Sequence, residues 1–531
     1  MIAAPEAPSA LASGDGKLVA SQPAGLRVLV LTETWERFSF YGMQALLIFY
    51  LTKHFLLSDA ESYEIYGRYV ALVYTAPIIG GMVADRWLGL RKAVLLGAIM
   101  LAVGHFGMAF EGDAARASLH GERPGAIERD ELALQIMYLS LALIAFGTGF
   151  LKPNITAALG RLYHEEDPRR DSGFTLFFLG INLGGTIAAL TVGYLGQGIA
   201  WRYGFGAAGL GMLIGLVIFI RGQKHLENRS EPPQPAALRR RVVGHLSLEH
   251  VIYAAIAFAV VIAWQLIQLR SVLTGLVGLV SAAVVAWLLW RVARDCAQPE
   301  RDRMICAMLL ILASLLFFVA VLQAGTTMNL YIDRNVNRTV LGHRFEASQF
   351  LALSGFFVIV LAPLFSALWL RLARLGAAPG PVSKIGAGMI ISAFAFVSLA
   401  LGGWLAPSAA SVSVGWIVLA YAFQSAGELL VVPTGMSAVT RLSVPRFAGL
   451  MMGLWFLAAA GAGVISSSVA KLAALDLQAS NAQTPETALT LYTHLFIGIG
   501  IALAITGLVV LLSSRSLLRL MHGVERHYAD A

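Results

Sequence analysis

The sequence predicts an all-α integral membrane protein with fourteen membrane-spanning helices. Three observations carry that prediction. The 531 residues are 57% hydrophobic and only 13% charged, where soluble domains average about 25% charged residues. Apolar stretches of the ~20 residues that one helical pass requires recur along the whole chain. Arg and Lys collect in alternate loops, the pattern of a multi-pass protein whose basic loops stay in the cytoplasm. The apolar runs are continuous and do not alternate with polar residues, which excludes a β-barrel. The net charge of +8 follows the loops and does not form one basic face, so it does not point to nucleic acid.

Residues 1–24 are rich in Ala, Pro, Ser and Gly and lack a basic start followed by an apolar run, so they read as a disordered tail and not a signal peptide. The first span covers 26–55, and the next five cover 65–83, 93–110, 132–151, 174–199 and 204–220. Together they form an N-terminal six-helix bundle over 25–221. A polar, Pro-rich linker over 222–248 follows. Spans at 250–269 and 272–290 are joined only by Arg270-Ser271 and make a tight hairpin inserted at 249–292. The last six spans, at 304–330, 349–370, 385–405, 414–435, 447–469 and 492–512, form a C-terminal bundle over 303–513, and 514–531 is a tail. Twelve core helices in two six-helix bundles plus the hairpin is a transporter-like plan, with a binding site expected between the halves. Basic groups such as Arg91-Lys92, Arg169-Arg170, Arg239-Arg240-Arg241 and the run from Arg291 to Arg303 put those loops and both termini in the cytoplasm. Cys296 and Cys306 form no disulfide or metal pattern.

The first span holds Glu33, Glu36 and Arg37. Each charge in a bilayer core costs about 2.5–3.5 kcal/mol on insertion scales, so this helix faces protein or a water-filled cavity. Glu33, Arg37, Phe40, Tyr41 and Gln44 recur at three- and four-residue steps and form one stripe. Two glutamates sharing one arginine are not both fully compensated, so one is poised to exchange a proton. Lys152 stands beside Pro153, which bends the fourth helix and frees nearby carbonyls. Glu428 lies in an otherwise almost uncharged span, and a lysine would hold it ionised. Lys152 and Glu428 are therefore candidates to pair across the two halves, the alternative being that each has a separate polar partner. Charge and periodicity alone lead to an ion-coupled transporter and no further.

The loop Gly80-Gly81-Met82-Val83-Ala84-Asp85-Arg86-Trp87-Leu88-Gly89-Leu90-Arg91-Lys92 resembles the loop motif between helices two and three of the major facilitator superfamily. There Asp85 and Arg86 are expected to make and break cytoplasmic contacts during gating. Glu33-x-x-Glu36-Arg37-Phe38-x-Phe40-Tyr41-Gly42 resembles the ExxERFxYY motif of the proton-dependent oligopeptide transporter family. Gly147 to Asn154 resembles its GTGxxKPN segment, Phe177 to Gly184 its FYxxINxG signature, Gly427-Glu428-Leu429 its GEL segment and Met451 to Phe456 its MMGxWF segment. The resemblance covers most of the chain, and the inserted hairpin is similar to that of bacterial members.

The resemblance implies a proton-coupled symporter of di- and tripeptides in a bacterial inner membrane, acting as a monomer with protons as coupling ion and no other cofactor. It implies that Glu33, Glu36 and Arg37 handle the proton. It makes Lys152 and Glu428 a cytoplasmic-side salt bridge near the peptide termini. Arg37, Tyr41, Gln44, Tyr74, Asn182 and Gln323 would line the peptide site, and Trp455 would shape a side-chain pocket. A zwitterionic peptide needs a cation for its carboxylate, Arg37 or Lys152, and an anion for its amine, Glu428.

This chain departs from the family pattern in several places. Gln44 stands where an Arg is frequent, and Leu322 stands where an acidic residue often precedes Gln323. Loss of both leaves the outer gate to polar contacts such as Gln44 with Gln323, or to packing. Gly67 occupies the position of a mammalian histidine, Ser354 lies near that of an eighth-helix Asn, and Phe40 and Phe178 replace motif tyrosines. A relative carrying nitrate or another small solute, and a nontransporting membrane sensor, are the competing readings. No phosphate loop, metal cluster or nucleophile constellation supports an enzyme.

Overall fold

The computed structural model describes residues 22–117, 127–164, 167, 169–226, 231–243, 245–269, 272–406, 408, 411–474 and 484–524. Of the tail expected over residues 1–24, residues 1–21 lie outside the described residues, as do the Arg270-Ser271 link and residues 525–531, while Ala24 already begins the first helix. The first bundle comprises α1 (Ala24–Phe49), α2 (Asp59–Val83), α3 (Gly89–Met108), α4 (Glu131–Arg161), α5 (Arg170–Gly193) and α6 (Trp201–Gly222). A short helix α7 (Pro235–Arg239) precedes the hairpin helices α8 (Leu248–Gln268) and α9 (Val272–Asp295). The second bundle comprises α10 (Gln298–Val321) with its short continuation α11 (Thr327–Asn335), then α12 (Ala352–Arg374), α13 (Pro381–Trp404), α14 (Val414–Leu442), α15 (Ala448–Ala470) and α16 (Pro485–Leu512). A final turn of helix, α17, covers Ser514–Leu520.

Among the described residues, twelve helical stretches are long and apolar enough to cross a membrane. One of them, Asp59–Met108, holds two passes, because Gly89 at φ +73° turns the chain between α2 and α3. Together with α1, which carries Arg27 besides the three expected charges, they make fourteen passes. The region expected as a plain linker is more ordered than its composition suggests. It carries α7 and a small antiparallel pairing of Arg241 with Ser247.

Within the first bundle α1 packs on α5 and α6, while α3 and α2 pack on α4; within the second, α13 packs on α14 and α16. Small residues set the closest crossings. A Cβ on Gly80 of α2 would lie 2.1 Å from the Gly149 carbonyl oxygen of α4, and one on Gly149 would lie 2.5 Å from Ala76 Cβ. The bundles meet chiefly through α2 with α15 and α5 with α12. The hairpin is shared: α8 rests on α4 and α9 on α15. Lys92 of α3 ties α8 down through Glu249 at 2.5 Å, and Arg91 holds Glu231 at 3.2 Å.

The end of the molecule at which α1 begins is here called the near end, and the end at which α1 finishes the far end. Three ion pairs join the bundles at the far end: Lys53–Asp333 at 2.6 Å, Arg334–Asp59 at 2.6 Å and Lys471–Glu64 at 2.8 Å. The second is bidentate, with Arg334 Nη2 donating to Asp59 Oδ1 at 2.8 Å, and Nη1 also donates to the Tyr492 hydroxyl at 2.9 Å. Gln197 bridges as well, donating to Asp333 and accepting from the Ser348 amide at 3.0 Å. These contacts close the far end by a route that the sequence reading did not anticipate. Gln44 and Gln323 do not meet. Gln44 donates to the Tyr66 hydroxyl at 2.9 Å, and Gln323 donates to Ser466 Oγ at 3.0 Å. The reason is direction. Gln323 is completely buried against α15, pointing away from α1.

Two predictions follow from this packing. Gly80→Ala is expected to destabilise the protein by about 1–3 kcal/mol through overpacking. Gly81→Ala, where a Cβ meets nothing within 4 Å, should be neutral or stabilising; equal unfolding temperatures in detergent would contradict the crossing. Asp59→Asn, which strands Arg334, is expected to cost near the lower end of about 3–5 kcal/mol. Lys471→Gln, which removes a part-exposed partner and leaves Glu64 its contact with Arg68, should cost under about 1 kcal/mol. The same thermal scan reads both, and the reverse order would contradict the assignment of the dominant latch.

Candidate functional site

A cavity of about 300 Å³ lies between the bundles. Its first-bundle wall includes Arg37, Tyr41 and Gln44 from α1, Tyr74 from α2, and Thr148 and Lys152 from α4. Its second-bundle wall includes Ser354 of α12, Gln424 and Glu428 of α14, and Phe456 of α15. Four of the expected α1 and α4 side chains, Arg37, Tyr41, Gln44 and Lys152, thus converge on one wall with the expected Tyr74 of α2. Their helical spacing does this: Arg37, Tyr41 and Gln44 rise at three- and four-residue steps on one face of α1.

Four charges are packed behind that wall. Glu36 and Arg37 form a two-pronged ion pair through Nε–Oε2 and Nη2–Oε1. Glu33 Oε1 lies 3.5 Å from Arg37 Nε and also accepts from Lys152 Nζ. Glu33 and Glu36 are completely buried, whereas the Lys152 side chain keeps 30% of its exposure. The two carboxylates and two cations cancel, which is what allows the set to be buried at all. Glu33 Oε2 is buried without a hydrogen-bond partner among the described residues. Arg37 also rests over the Phe40 ring at 4.6 Å, so the Phe in place of the motif tyrosine still holds the guanidinium face.

The expected Lys152–Glu428 pair is not formed. Lys152 is held by Glu33 within its own bundle, while Glu428 stands half-buried on the opposite wall with no ion pair among the described residues. An acid on the neighbouring helix outcompetes one across the cavity because it needs no closure of the halves to reach the lysine. Asp85 and Arg86, expected to gate together, are both exposed on the turn after α2. Arg86 stacks over Trp87 at 5.1 Å, and it is Arg91 and Lys92 that pair with acids there.

Three further expected residues lie off the cavity wall. Asn182 folds back on its own helix, donating to the Phe178 carbonyl at 2.9 Å. Its own carbonyl sits against Gly355 at the α5–α12 crossing. Trp455 is buried between Gly435 of α14 and Phe318 of α10, and its neighbour Phe456 faces the cavity instead. Gln323 is buried against α15, as described, and its neighbours Val321, Leu322, Ala324 and Gly325 line the space.

The sequence reading missed Gln424. It precedes Glu428 by one helical turn and so shares its face, a signal that was available. Buried acceptor oxygens of Gln44, Thr148 and Gln424 lack partners among the described residues, and all three residues line the cavity. The cavity therefore offers cations on one side, a carboxylate on the other, and free acceptors and aromatic surface between.

Comparison with known proteins agrees with this geometry. The chain is 34% identical over 501 residues to dipeptide and tripeptide permease A of Cronobacter turicensis, covering 94% of each protein. It is 32% identical over 501 residues to the permease of the same name from Klebsiella pneumoniae, covering 94% of this chain and 93% of that one. Among solved structures it is similar to the peptide transporter POT in complex with sulfate, with TM-score 0.78 and 32% identity over 96% of this chain and 97% of that one. It is also similar to tetrameric PepTSo2, with TM-score 0.76 and 26% identity over 94% of this chain and 99% of that one. The two-bundle arrangement is that of the major facilitator fold. Residues 91–484 match the sequence profile described as the POT family, and the chain belongs to that family.

Proposed function

We propose that this chain is a proton-coupled symporter that imports di- and tripeptides across the bacterial inner membrane by alternating access. Peptide transport is the named activity of relatives that match it over nearly their whole length. Carriage of another small solute and peptide sensing without transport are not favoured. The near end, which carries the basic loops, faces the cytoplasm, and the latched far end faces outward. Each molecule works as a monomer, since one chain holds both walls of the cavity. Protons are the coupling ion, and no other cofactor is proposed.

The observation that carries the reading is that Glu33 clamps Lys152 on the wall facing Glu428. With the far end open, a proton binds Glu33, where Oε2 has no competing partner. The neutral acid releases Lys152, which then takes the peptide carboxylate, while Glu428 takes the amine. Tyr41, Tyr74, Gln44 and Gln424 accept or donate to the peptide backbone, and the apolar lining tolerates varied side chains. The Asp59, Asp333 and Glu64 pairs then reform and close the outer side. Proton loss from Glu33 to the cytoplasm restores its bond to Lys152 and expels the peptide carboxylate. The closed far end together with the Glu33–Lys152 pair matches the end of that half-cycle.

Uptake of labelled dialanine into proteoliposomes with an inward proton gradient tests the reading. Accumulation that a proton ionophore abolishes is expected; no uptake where a control transporter works would contradict it. Glu33→Gln should abolish accumulation yet keep dialanine exchange between the two sides. Glu36→Gln, which strands buried Arg37, should lower the folded yield as well. Glu428→Gln should raise the KM for dialanine about tenfold, the worth of one charged hydrogen bond. An unchanged KM would remove Glu428 from the amine site.

A further inference from the structure

A groove separate from the transport cavity lies between the near ends of α12, α13 and α14. Its volume is about 470 Å³. It exists because α12 packs on α5 and α14 but scarcely on α13, the helix that follows it. The floor is apolar, with Ala362 and Phe365 from α12 and Leu429 and Pro433 from α14. Leu429, Pro433, Ser437 and Arg441 recur at four-residue steps and form one stripe of α14. Gln424 and Glu428 form another, which faces the transport cavity. The groove therefore lies behind α14 as seen from that cavity, and the two share no lining residue. It opens outward, since Ser366, Leu370 and Pro433 of its lining are exposed. Exposed apolar surface on membrane-spanning helices is covered by acyl chains.

Two cations line this groove. Lys384 comes from the first turn of α13 and Arg441 from the last turn of α14. The hydroxyls of Ser366, Thr434 and Ser437 join them, and no carboxylate lines the groove. Between residues 347 and 475 the chain holds one acid, Glu428, against six Lys and Arg. That acid faces the transport cavity on the other side of α14. Among the described residues no carboxylate pairs with Lys384. Its Nζ instead sits over the Trp369 ring at 4.7 Å, and Trp369 leans on Phe365. Tryptophan collects at the depth of lipid head groups, so the ring and the two terminal-turn cations set the level of this end of the groove. An ammonium there without an acid calls for an anion from outside the chain. The apolar floor calls for an acyl chain. One molecule supplies both: a glycerophospholipid with an anionic head group. A choline head group would instead bring a further cation beside Lys384 and Arg441.

We infer that the groove between the near ends of α12, α13 and α14 binds one anionic phospholipid, with its phosphate at Lys384 and Arg441 and an acyl chain along Phe365, Leu429 and Pro433. The lipid fills the gap that α12 leaves beside α13. The site shares no residue with the transport cavity, so it stands or falls apart from the transport reading.

The test is native mass spectrometry of the full chain released from nanodiscs holding equal phosphatidylglycerol and phosphatidylcholine. Retention of one phosphatidylglycerol in preference to phosphatidylcholine is expected. Lys384→Gln with Arg441→Gln should reduce that preference about 25-fold, at about fivefold for each basic side chain near the bilayer surface. Arg371→Gln with Arg374→Gln, exposed cations of the same end that do not line the groove, should leave it nearly unchanged. Excess inorganic phosphate should not displace the lipid, because the acyl chain holds it. Thermal unfolding and elution volume show whether each variant is folded, and Lys384→Gln alone, expected to cost about fivefold, keeps the test valid if the double variant fails to fold. Equal retention of both lipids by the native chain, or unchanged preference in the Lys384 variants, would overturn the proposal. So would an equal loss in the Arg371 and Arg374 variant, which would mean diffuse surface charge. Displacement by phosphate would overturn it too, because the occupant would then be a free anion.

Discussion

The structure depends on burying two carboxylates and two cations as one neutral set. Any one of Glu33, Glu36, Arg37 and Lys152 left alone at this depth would carry the cost of an unpaired charge in low dielectric. Together they cancel, but unevenly. Glu36 and Arg37 satisfy each other through two contacts, whereas Glu33 shares one oxygen between Arg37 and Lys152 and leaves the other bare. That asymmetry divides the work. In the proposed cycle the Glu36–Arg37 pair is the fixed counter-charge, and the Glu33–Lys152 contact is the one a proton undoes. The part-exposed lysine connects that contact to the cavity, which is how the proposed cycle turns a change of one proton on α1 into a change in what the cavity binds.

The far end is closed by other residues than the family pattern suggests. The charges often found within the membrane are here Gln44 and Leu322, and Gln44 turns to Tyr66 while Leu322 supplies cavity surface. Closure lies instead with Lys53, Asp59 and Glu64 against Asp333, Arg334 and Lys471, at helix ends. Only Asp59 among these is completely buried, held by both arms of Arg334. The Lys53 and Lys471 pairs are partly hydrated, which makes them weaker than the buried Asp59–Arg334 pair and easier to exchange.

The fold was legible because bilayer physics writes itself into composition. Twenty apolar residues per pass and basic loops are strong signals, and they revealed all fourteen passes. The α1 stripe and Lys152 were legible for the same reason, since charge inside an apolar run is conspicuous. What the sequence obscured was partnership. Lys152 has acids available on either side of the cavity, and only the packing of α1 on its own bundle chooses Glu33 over Glu428. Asn182, Gln323 and Trp455 were assigned by motif, but their side chains follow local crossings at Gly355, Ser466 and Gly435 that no spacing reveals. Asp59 and Arg334 looked like ordinary polar residues at segment ends, because a cross-bundle pair has the same local sequence as a solvated one.

The most direct test of the central claim records peptide and proton flux together, in proteoliposomes carrying an internal pH indicator and labelled dialanine. For the native chain, adding dialanine outside should acidify the interior in step with its uptake. For Glu33→Gln, exchange of dialanine should persist with no accompanying acidification. Proton entry that still follows dialanine in the Glu33→Gln protein would contradict the account, and would place the coupling site elsewhere than the Glu33–Lys152 contact.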